Sequence, residues 1–258
     1  MQQQVPAGSF VWHNLVTSDT KDAVAFYAEV TRWKTRPWEH DETDYTLFAV
    51  DDQPLGGAIA PSASTIDADG AMPRWLPYVY VYDVDACSRQ ALKLGGRIRR
   101  GPFEVPNVGC WAVVADPQGA TIGLFEPTQL PPGHAGAPRR GEFSWHELAT
   151  SDHTAALEFY KPLFHWERLE EREMGGTGTY LTFGKKGRAY GGMFNRSDAP
   201  PDWLSYVLVD DVTDAAKTAE RLGGRIKVGP VEVPGGDWIV QCVDRQGAEF
   251  ALHGVKRV

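Results

Sequence analysis

The stretch Trp145-His146-Glu147-Leu148-Ala149-Thr150-Ser151-Asp152 decides the fold, because most of it occurs twice in the chain. Its counterpart, WHNLVTSD at residues 12–19, lies 133 residues earlier. The same offset relates Phe159-Tyr160 to Phe26-Tyr27. An offset that holds over several separate marks indicates an internal duplication.

Later marks extend the duplication towards the end of the chain. Gly56-Gly57 recurs as Gly191-Gly192 at an offset of 135, and Gly95-Gly96 recurs as Gly223-Gly224 at an offset of 128. The change of offset falls in a turn-rich segment, where a surface loop tolerates insertion. The two halves of the chain are therefore predicted to share one fold.

A segment rich in Pro and Gly separates the two copies. It lacks the apolar periodicity of its flanks, and this composition is typical of a linker. We expect a first domain at residues 8–128, a linker at 129–140 and a second domain at 141–256.

Each copy is predicted to contain two units, and each unit consists of one strand, one helix and three further strands. In the first unit, residues 10–17 alternate like a strand, and the N-cap pair Ser18-Asp19 precedes an apolar helical stripe that includes Phe26 and Tyr27. Short extended runs separated by turn residues follow. The same order restarts at Leu76, so the chain is predicted to contain four βαβββ units in an α+β fold.

Composition argues against several classes of protein. The longest uncharged apolar run is far shorter than the roughly 20 residues that cross a bilayer, which argues against a membrane protein. Lys and Arg total 26 against 34 Asp and Glu, a net charge of −8 with no basic tract, which argues against nucleic-acid binding. Three widely spaced cysteines and no visible signal peptide favour the cytoplasm.

On these motifs the chain resembles the vicinal oxygen chelate superfamily, which includes glyoxalase I, bleomycin-resistance proteins, fosfomycin-resistance enzymes and extradiol dioxygenases. Further carriers of the resemblance are Val209-Asp210-Asp211-Val212, Leu222-Gly223-Gly224 and the turn Asp116-Pro117-Gln118-Gly119. The resemblance covers essentially the whole chain and is greatest to fused two-domain bacterial members. It implies two tandem glyoxalase-like domains, each a curved mixed sheet enclosing a cavity.

Metal-dependent members of this superfamily take His and Glu ligands from fixed strand positions. The resemblance places those positions on residues whose side chains do not ligate a metal, namely Trp12, Gly57, Leu76, Gly123 and their counterparts Trp145, Gly192, Leu204 and Ala251. We therefore expect neither a metal nor another cofactor. The alternative is a one-residue bulge that turns His13 and His146 inward, each in its own domain, to ligate a divalent metal such as Zn, Ni, Fe or Mn. In the first domain Glu126 would be a second ligand beside His13.

Alternation along the strands predicts which side chains line the two cavities. The first domain is expected to present an aromatic, nearly uncharged set: Trp12, Asn14, Tyr78, Tyr80 and Phe125. The second is expected to present a more polar set: Trp145, Glu147, Tyr206, Glu249 and His253. Glu147 and His253 are the candidate catalytic pair, because a carboxylate beside an imidazole suits proton transfer next to a carbonyl. The alternative interpretation gives Glu147 a structural hydrogen bond and places His253 at a loosely ordered strand end.

These observations lead to two hypotheses about function. In the first, a protein without metal binds a small aromatic or amphipathic molecule, as bleomycin-resistance proteins do. In the second, it is a lyase or isomerase of the glyoxalase type that uses a metal or the pair Glu147 and His253. A small molecule is the expected partner in both, and the chain is expected to be a monomer or a homodimer.

Overall fold

The structure is a computed structural model that describes residues 5–38, 45–60, 73–129, 133–175 and 178–255. In the first half of the chain its elements are β1 (Phe10–Val16), α1 (Thr20–Thr31), β2 (Lys34–Pro37), β3 (Tyr45–Val50), β4 (Gln53–Ile59), β5 (Arg74–Tyr80), α2 (Val84–Lys93), β6 (Arg97–Val105), β7 (Gly109–Ala115) and β8 (Thr121–Pro127). Part of the predicted linker, residues 130–132, lies outside the described residues.

The second half repeats this order. Its elements are β9 (Phe143–Thr150), α3 (His153–Phe164), β10 (Glu167–Glu173), β11 (Thr179–Lys185), β12 (Arg188–Asn195), β13 (Asp202–Val209), α4 (Val212–Arg221), β14 (Arg225–Glu232), β15 (Trp238–Val243) and β16 (Glu249–Gly254). The predicted order of four βαβββ units is confirmed. No helix in the described part of the chain has the length and apolar character needed to cross a membrane.

The strands form two eight-stranded sheets, one from each half of the chain. Their orders are β2-β3-β4-β1-β5-β8-β7-β6 and β10-β11-β12-β9-β13-β16-β15-β14. Both sheets are mixed, since β1 runs parallel to β4 and β13 parallel to β16, whereas hairpins such as β3–β4 and β15–β16 are antiparallel. The α+β prediction with two tandem domains is confirmed.

Each helix begins after an aspartate, as the sequence indicates for α1. The carboxylates of Asp19, Asp83, Asp152 and Asp211 accept hydrogen bonds from backbone N–H groups of the first helical turn. This capping satisfies donors that have no partner inside the helix. The four repeated caps set the start of each helix after its strand.

The chain packs as two compact units that each combine one βαβββ unit from each half. Among the described residues, the first compact unit comprises those of 5–12, 76–135 and 145–204, and the second comprises those of 13–75, 136–144 and 205–255. In the first, apolar residues of α2 and α3 share a core with β7, β8, β9 and β11. In the second, α1 and α4 share a core with residues of β1, β3, β4, β13, β15 and β16. Each sheet is therefore formed by one half of the sequence, whereas each core contains residues of both halves.

Each compact unit contains a buried hydrogen-bond network of the same composition. In the first, Tyr160 donates its hydroxyl hydrogen to Asp116 at 3.0 Å and accepts one from the Trp203 indole at 3.4 Å. In the second, Tyr27 bonds Asp244 at 3.0 Å and Trp75 at 2.9 Å in the same way. These residues are the Phe-Tyr and Asp-turn motifs of the sequence, so the repeated motifs hold helices of one half on turns of the other.

Candidate functional site

Each sheet has one face that packs on helices and an opposite face, which we call the open face. On β7, Ala112 and Val114 lie in the core with α2. Trp111 and Val113 alternate with them and lie with Tyr78 on the opposite side. The open face is where the superfamily resemblance places a ligand.

The open face of the first domain carries an aromatic cluster within the first compact unit. Leu76, Tyr78 and Val113 are buried, and the half-buried rings of Trp12, Trp111 and Phe125 pack around them. The Trp111 ring lies edge-on to Tyr78 at 6.5 Å between centroids. The Phe103 ring is also close to Trp111, with 5.2 Å between centroids, and Phe103 is 47% exposed. We call Trp12, Tyr78, Phe103, Trp111 and Phe125 the aromatic wall.

Three glycines on the open faces each lie under a tyrosine ring. A Cβ atom on Gly123 would lie 2.1 Å from the Tyr78 ring. On Gly192 it would lie 2.1 Å from Tyr180, and on Gly57 it would lie 2.5 Å from Tyr45. Only glycine leaves room for the rings to lie on the strands.

The resemblance to the superfamily places metal ligands at or near these three glycines, so their surroundings test whether an ion fits. A glycine offers no side-chain donor, and a tyrosine ring fills the space above it. Trp12 and Leu76, at two further positions of the first domain, pack in the apolar cluster of the wall. The residues at these positions do not fit a divalent ion.

The two remaining first-domain candidates have local partners. Asn14 accepts a hydrogen bond from the Tyr45 hydroxyl at 2.5 Å. Tyr80 is half-buried with its ring edge-on to Tyr82 at 5.4 Å, and burial raises the pKa of its hydroxyl.

In the second domain, Glu147 lies at the end of a hydrogen-bond chain inside the first compact unit. The Trp145 indole donates to the Tyr180 hydroxyl at 2.9 Å, and that hydroxyl donates to Glu147 Oε1 at 2.8 Å. Burial, and then the charge of Glu147, raise the pKa of Tyr180 well above its ordinary value. Tyr180 is therefore a neutral donor at physiological pH, held in place by Trp145.

His253 has a different set of partners, in the second compact unit. Its Nδ1 lies 2.8 Å from the Ser144 hydroxyl, and its Nε2 lies 3.1 Å from an Asp237 carboxylate oxygen. Glu249 is exposed and pairs with Lys227 at 2.6 Å. Tyr206 is buried and its hydroxyl accepts a hydrogen bond from Gln241 at 2.8 Å.

The alternative metal ligands also have distinct surroundings. His146 is buried, stacks on Phe10 at 3.6 Å between centroids, and its Nδ1 lies 3.3 Å from the Tyr190 carbonyl oxygen. Desolvation lowers the pKa of His146 to about 3. His13 is buried and stacks on Phe143 at 3.6 Å.

Glu126 completes that alternative set, and its carboxylate accepts a hydrogen bond from the backbone N–H of Val84, at the start of α2. Across the described ranges, no three His, Cys, Asp or Glu side chains are grouped closely enough to hold a metal ion.

Sequence reasoning missed Tyr45 and Tyr180, which cover the glycines and bond Asn14 and Glu147. A signal was present, because these tyrosines recur at the offset of 135 that also relates Gly57 to Gly192. The repeat also did not show on which face of its own sheet Trp111 or Trp238 lies. Trp111 lies on the open face, whereas Trp238 packs against the helix-side core of the second compact unit.

Comparison with curated proteins gives relatives over nearly the whole chain. No family model matches. "Putative glyoxylase CFP32" of Mycobacterium tuberculosis (strain CDC 1551 / Oshkosh) is 27% identical over 248 residues, covering 93% of this chain and 92% of that protein. "Anthracycline biosynthesis protein DnrV" of Streptomyces peucetius is 26% identical over 258 residues, covering 95% and 92%.

Solved structures with the same fold include two enzymes. The 2,3-dioxygenase LapB from Pseudomonas sp. KL28 has a TM-score of 0.67 at 11% identity, over 97% of this chain and 94% of that one. The Mn(II)-bound glyoxalase from Novosphingobium aromaticivorans has a TM-score of 0.66 at 14% identity, over 97% and 84%. These likenesses agree with the observed fold of paired βαβββ units.

Proposed function

Because the chain is a two-domain member of the vicinal oxygen chelate superfamily, we propose that it binds a small aromatic organic molecule on the open face of the first-domain sheet. The aromatic wall is the single observation that carries this proposal. Four of its five rings are only partly covered, the exception being the buried Tyr78, and Phe103 is 47% exposed on a strand of the same sheet. Partly exposed aromatic side chains that pack together on an open face are typical of a ligand site.

The chemistry of the wall favours a planar, apolar ligand. Indole and phenyl rings stack on other aromatic rings, and such a pair contributes about 0.5–1.5 kcal/mol beyond the area it buries. The name of one relative connects it with anthracycline biosynthesis. A polycyclic aromatic compound is therefore the class that we propose for the ligand.

We propose further that binding needs no divalent ion. Support comes from the glycines at superfamily ligand positions and from the tyrosine rings above them.

The three cysteines are free thiols, which agrees with a reducing compartment such as the cytoplasm.

A binding titration with 1,8-dihydroxyanthraquinone, a neutral planar probe, tests the proposal. We expect saturable binding that quenches tryptophan fluorescence and persists in EDTA. Trp111→Leu removes one side of the wall and is expected to weaken binding by about tenfold, which corresponds to about 1.4 kcal/mol.

The repeat supplies the matched control. Trp238→Leu removes an indole from the helix-facing side of the other sheet and should leave the dissociation constant unchanged, provided that thermal melts show both variants folded. Equal affinities of Trp111→Leu and the unmodified protein would contradict a site at the wall.

A second function, proton transfer at Glu147, is favoured by the hydrogen bond from Tyr180, which places a neutral phenol beside a carboxylate. The name of the glyoxylase relative points in the same direction. Turnover of the hemithioacetal of methylglyoxal and glutathione that is lost in Glu147→Gln would support this enzyme class. Absence of turnover in the unmodified protein would count against that reaction.

A further inference from the structure

A serine, a histidine and an aspartate of the second compact unit form a continuous hydrogen-bonded series. The Ser144 hydroxyl, on β9, lies 2.8 Å from His253 Nδ1, and His253 Nε2 lies 3.1 Å from an Asp237 carboxylate oxygen. A nucleophile within hydrogen-bond reach of a base, with the base held by a third group, is the arrangement that activates a hydroxyl.

Asp237 determines which nitrogen of the imidazole carries the hydrogen. A carboxylate can only accept, so Nε2 is the donor to Asp237, and Nδ1 of the neutral ring is left as an acceptor. The Ser144 hydroxyl can also donate to the backbone carbonyl oxygen of Tyr206, at 3.3 Å, but its contact with Nδ1 is shorter. His253 is therefore oriented to take the serine proton.

The series lies on the open face of the second sheet and is reached by solvent. Leu252 lies in the helix-side core, so His253, the next residue on β16, points to the opposite face. Ser144 is half-buried, and the side chains of His253 and Asp237 are 22% and 51% exposed. A small molecule can therefore approach the hydroxyl.

The first domain has the same strands without this series. The repeat and the strand pairing put Val11, Phe125 and Gly109 at the places of the serine, the histidine and the aspartate. Phe125 belongs to the aromatic wall. Since one copy of the fold forms without the three polar residues, the strands themselves do not require them.

The neighbours of the histidine on the open face are apolar. Its register partners are Leu208 on β13 and Ile239 on β15, and side chains of paired residues lie on the same face of a sheet. Both are half-buried, so they present apolar surface beside the imidazole. This surface suits an aliphatic acyl group.

We propose that the second domain hydrolyses small esters with an aliphatic acyl group, with Ser144 as the nucleophile and His253 as the general base. The Ser144 oxygen bonds to the acyl carbon as the ester C–O bond breaks, and the serine proton passes through His253 to the leaving alkoxide. Water then releases the acid from the serine, with His253 again as the base. Asp237 is a positioning residue. This activity goes beyond binding at the aromatic wall and does not depend on it.

Labelling with diisopropyl fluorophosphate, followed by intact-mass spectrometry and peptide mapping, tests the nucleophile. We expect one adduct, on Ser144: the bond from its oxygen to phosphorus forms as the P–F bond breaks, fluoride leaves, and the proton passes to His253. His253→Gln should slow labelling by at least about a hundredfold, the contribution of a general base. Asp237→Asn should also slow it, and Asp237→Glu, which retains a carboxylate acceptor, should restore it.

Hydrolysis of 4-nitrophenyl butyrate, followed by release of 4-nitrophenolate, gives the second measurement. Ser144→Ala should reduce turnover to the rate in buffer. The control is Ser151→Ala, which removes an exposed serine of the first compact unit that donates to Gln118. It should leave labelling and turnover unchanged.

Three results would overturn the proposed esterase site: no adduct on Ser144 of the unmodified protein, an equal labelling rate in His253→Gln, or turnover that survives in Ser144→Ala. The first result is obtained without any variant, so it does not depend on whether a variant folds. Trp111→Leu should weaken binding of the anthraquinone and leave labelling of Ser144 intact. Failure of the wall proposal is therefore distinguishable from failure of the esterase proposal.

Discussion

At the scale of single residues, His146 shows how burial decides what an imidazole does. Its ring lies nearly parallel to Phe10, with 7° between planes, and desolvation lowers its pKa to about 3. The folded protein thus holds His146 neutral over a range in which an unfolded chain takes up a proton. Between pH 6.5 and about 3, unfolding is coupled to proton uptake at this residue.

His146→Phe should therefore flatten the acid dependence of stability. The unfolded state binds more protons than the folded state in this window, so His146 makes the free energy of unfolding fall by up to about 1.4 kcal/mol per pH unit as pH decreases. Phenylalanine retains the stack on Phe10 and does not titrate. Urea unfolding between pH 7 and 4.5 measures the slope, independently of any constant loss from the Tyr190 hydrogen bond.

Leu92→Gln, at a side chain of α2 that is 49% exposed and does not titrate, is the control and should keep the slope of the unmodified protein. A slope in His146→Phe equal to that of the unmodified protein would show that this imidazole is not the group responsible.

At the scale of elements, the Tyr–Asp–Trp networks attach helices to turns. Asp244 Oδ1 accepts backbone hydrogen bonds from Gln246, Gly247 and Ala248, and its other oxygen accepts from Tyr27 on α1. Burial raises the pKa of Asp244, and the bond from Tyr27 works against this rise. One carboxylate thus closes a turn and holds a helix.

Tyr27→Phe should lower the free energy of unfolding by about 2–4 kcal/mol, since it removes a hydrogen-bond partner from the buried Asp244 carboxylate and from the Trp75 indole. Loss of the Tyr27 bond raises the folded-state pKa of Asp244 further, so ionisation becomes more costly in the folded protein. The loss should therefore be greatest at neutral pH and should decrease as the pH falls and Asp244 is protonated.

Chemical denaturation at pH 7 and pH 4 measures the loss of unfolding free energy and its dependence on pH. Tyr160→Phe, in the other network, should behave alike, whereas Tyr82→Phe changes a ring that is 76% exposed and should have little effect. If Tyr27→Phe lowers the free energy of unfolding no more than Tyr82→Phe does, the network does not stabilise the protein.

At the scale of the whole molecule, each core depends on both halves of the chain. Ile122 and Leu124 of the first half share a core with Leu157 and Phe159 of the second. Phe26 and Val30 of the first half share the other core with residues that include Phe250. Since apolar burial is the main stabilising contribution, neither half has a complete core of its own.

Cleavage of the linker should consequently leave an assembled protein. With a protease site inserted between Gly136 and Ala137, the two fragments should co-elute as one species of unchanged mass under native conditions. Size-exclusion chromatography with light scattering measures this, and either fragment expressed alone should lack a cooperative thermal transition. Dissociation of the fragments at micromolar concentration would contradict cores shared between the halves.

Much of the architecture was predictable because it depends on local patterns that occur twice. Alternating strands, aspartate caps and the Gly-Gly marks follow from short-range chemistry, and the offsets reveal the four units. The candidate site was predictable in part: alternation identifies Trp12, Tyr78 and Phe125. Alternation does not show that Tyr45 and Tyr180 reach over the glycines of a neighbouring strand, because that contact depends on register between strands.

The sequence by itself determined the duplication and the order of elements, since both depend on residue identity and spacing. Only the tertiary structure decided that Trp111 and Trp238 lie on opposite faces, that His253 meets Ser144 and Asp237, and that Glu147 meets Tyr180. These contacts join residues far apart in the chain. Their geometry is set by strand pairing and by packing of both halves into shared cores, which short-range patterns do not encode.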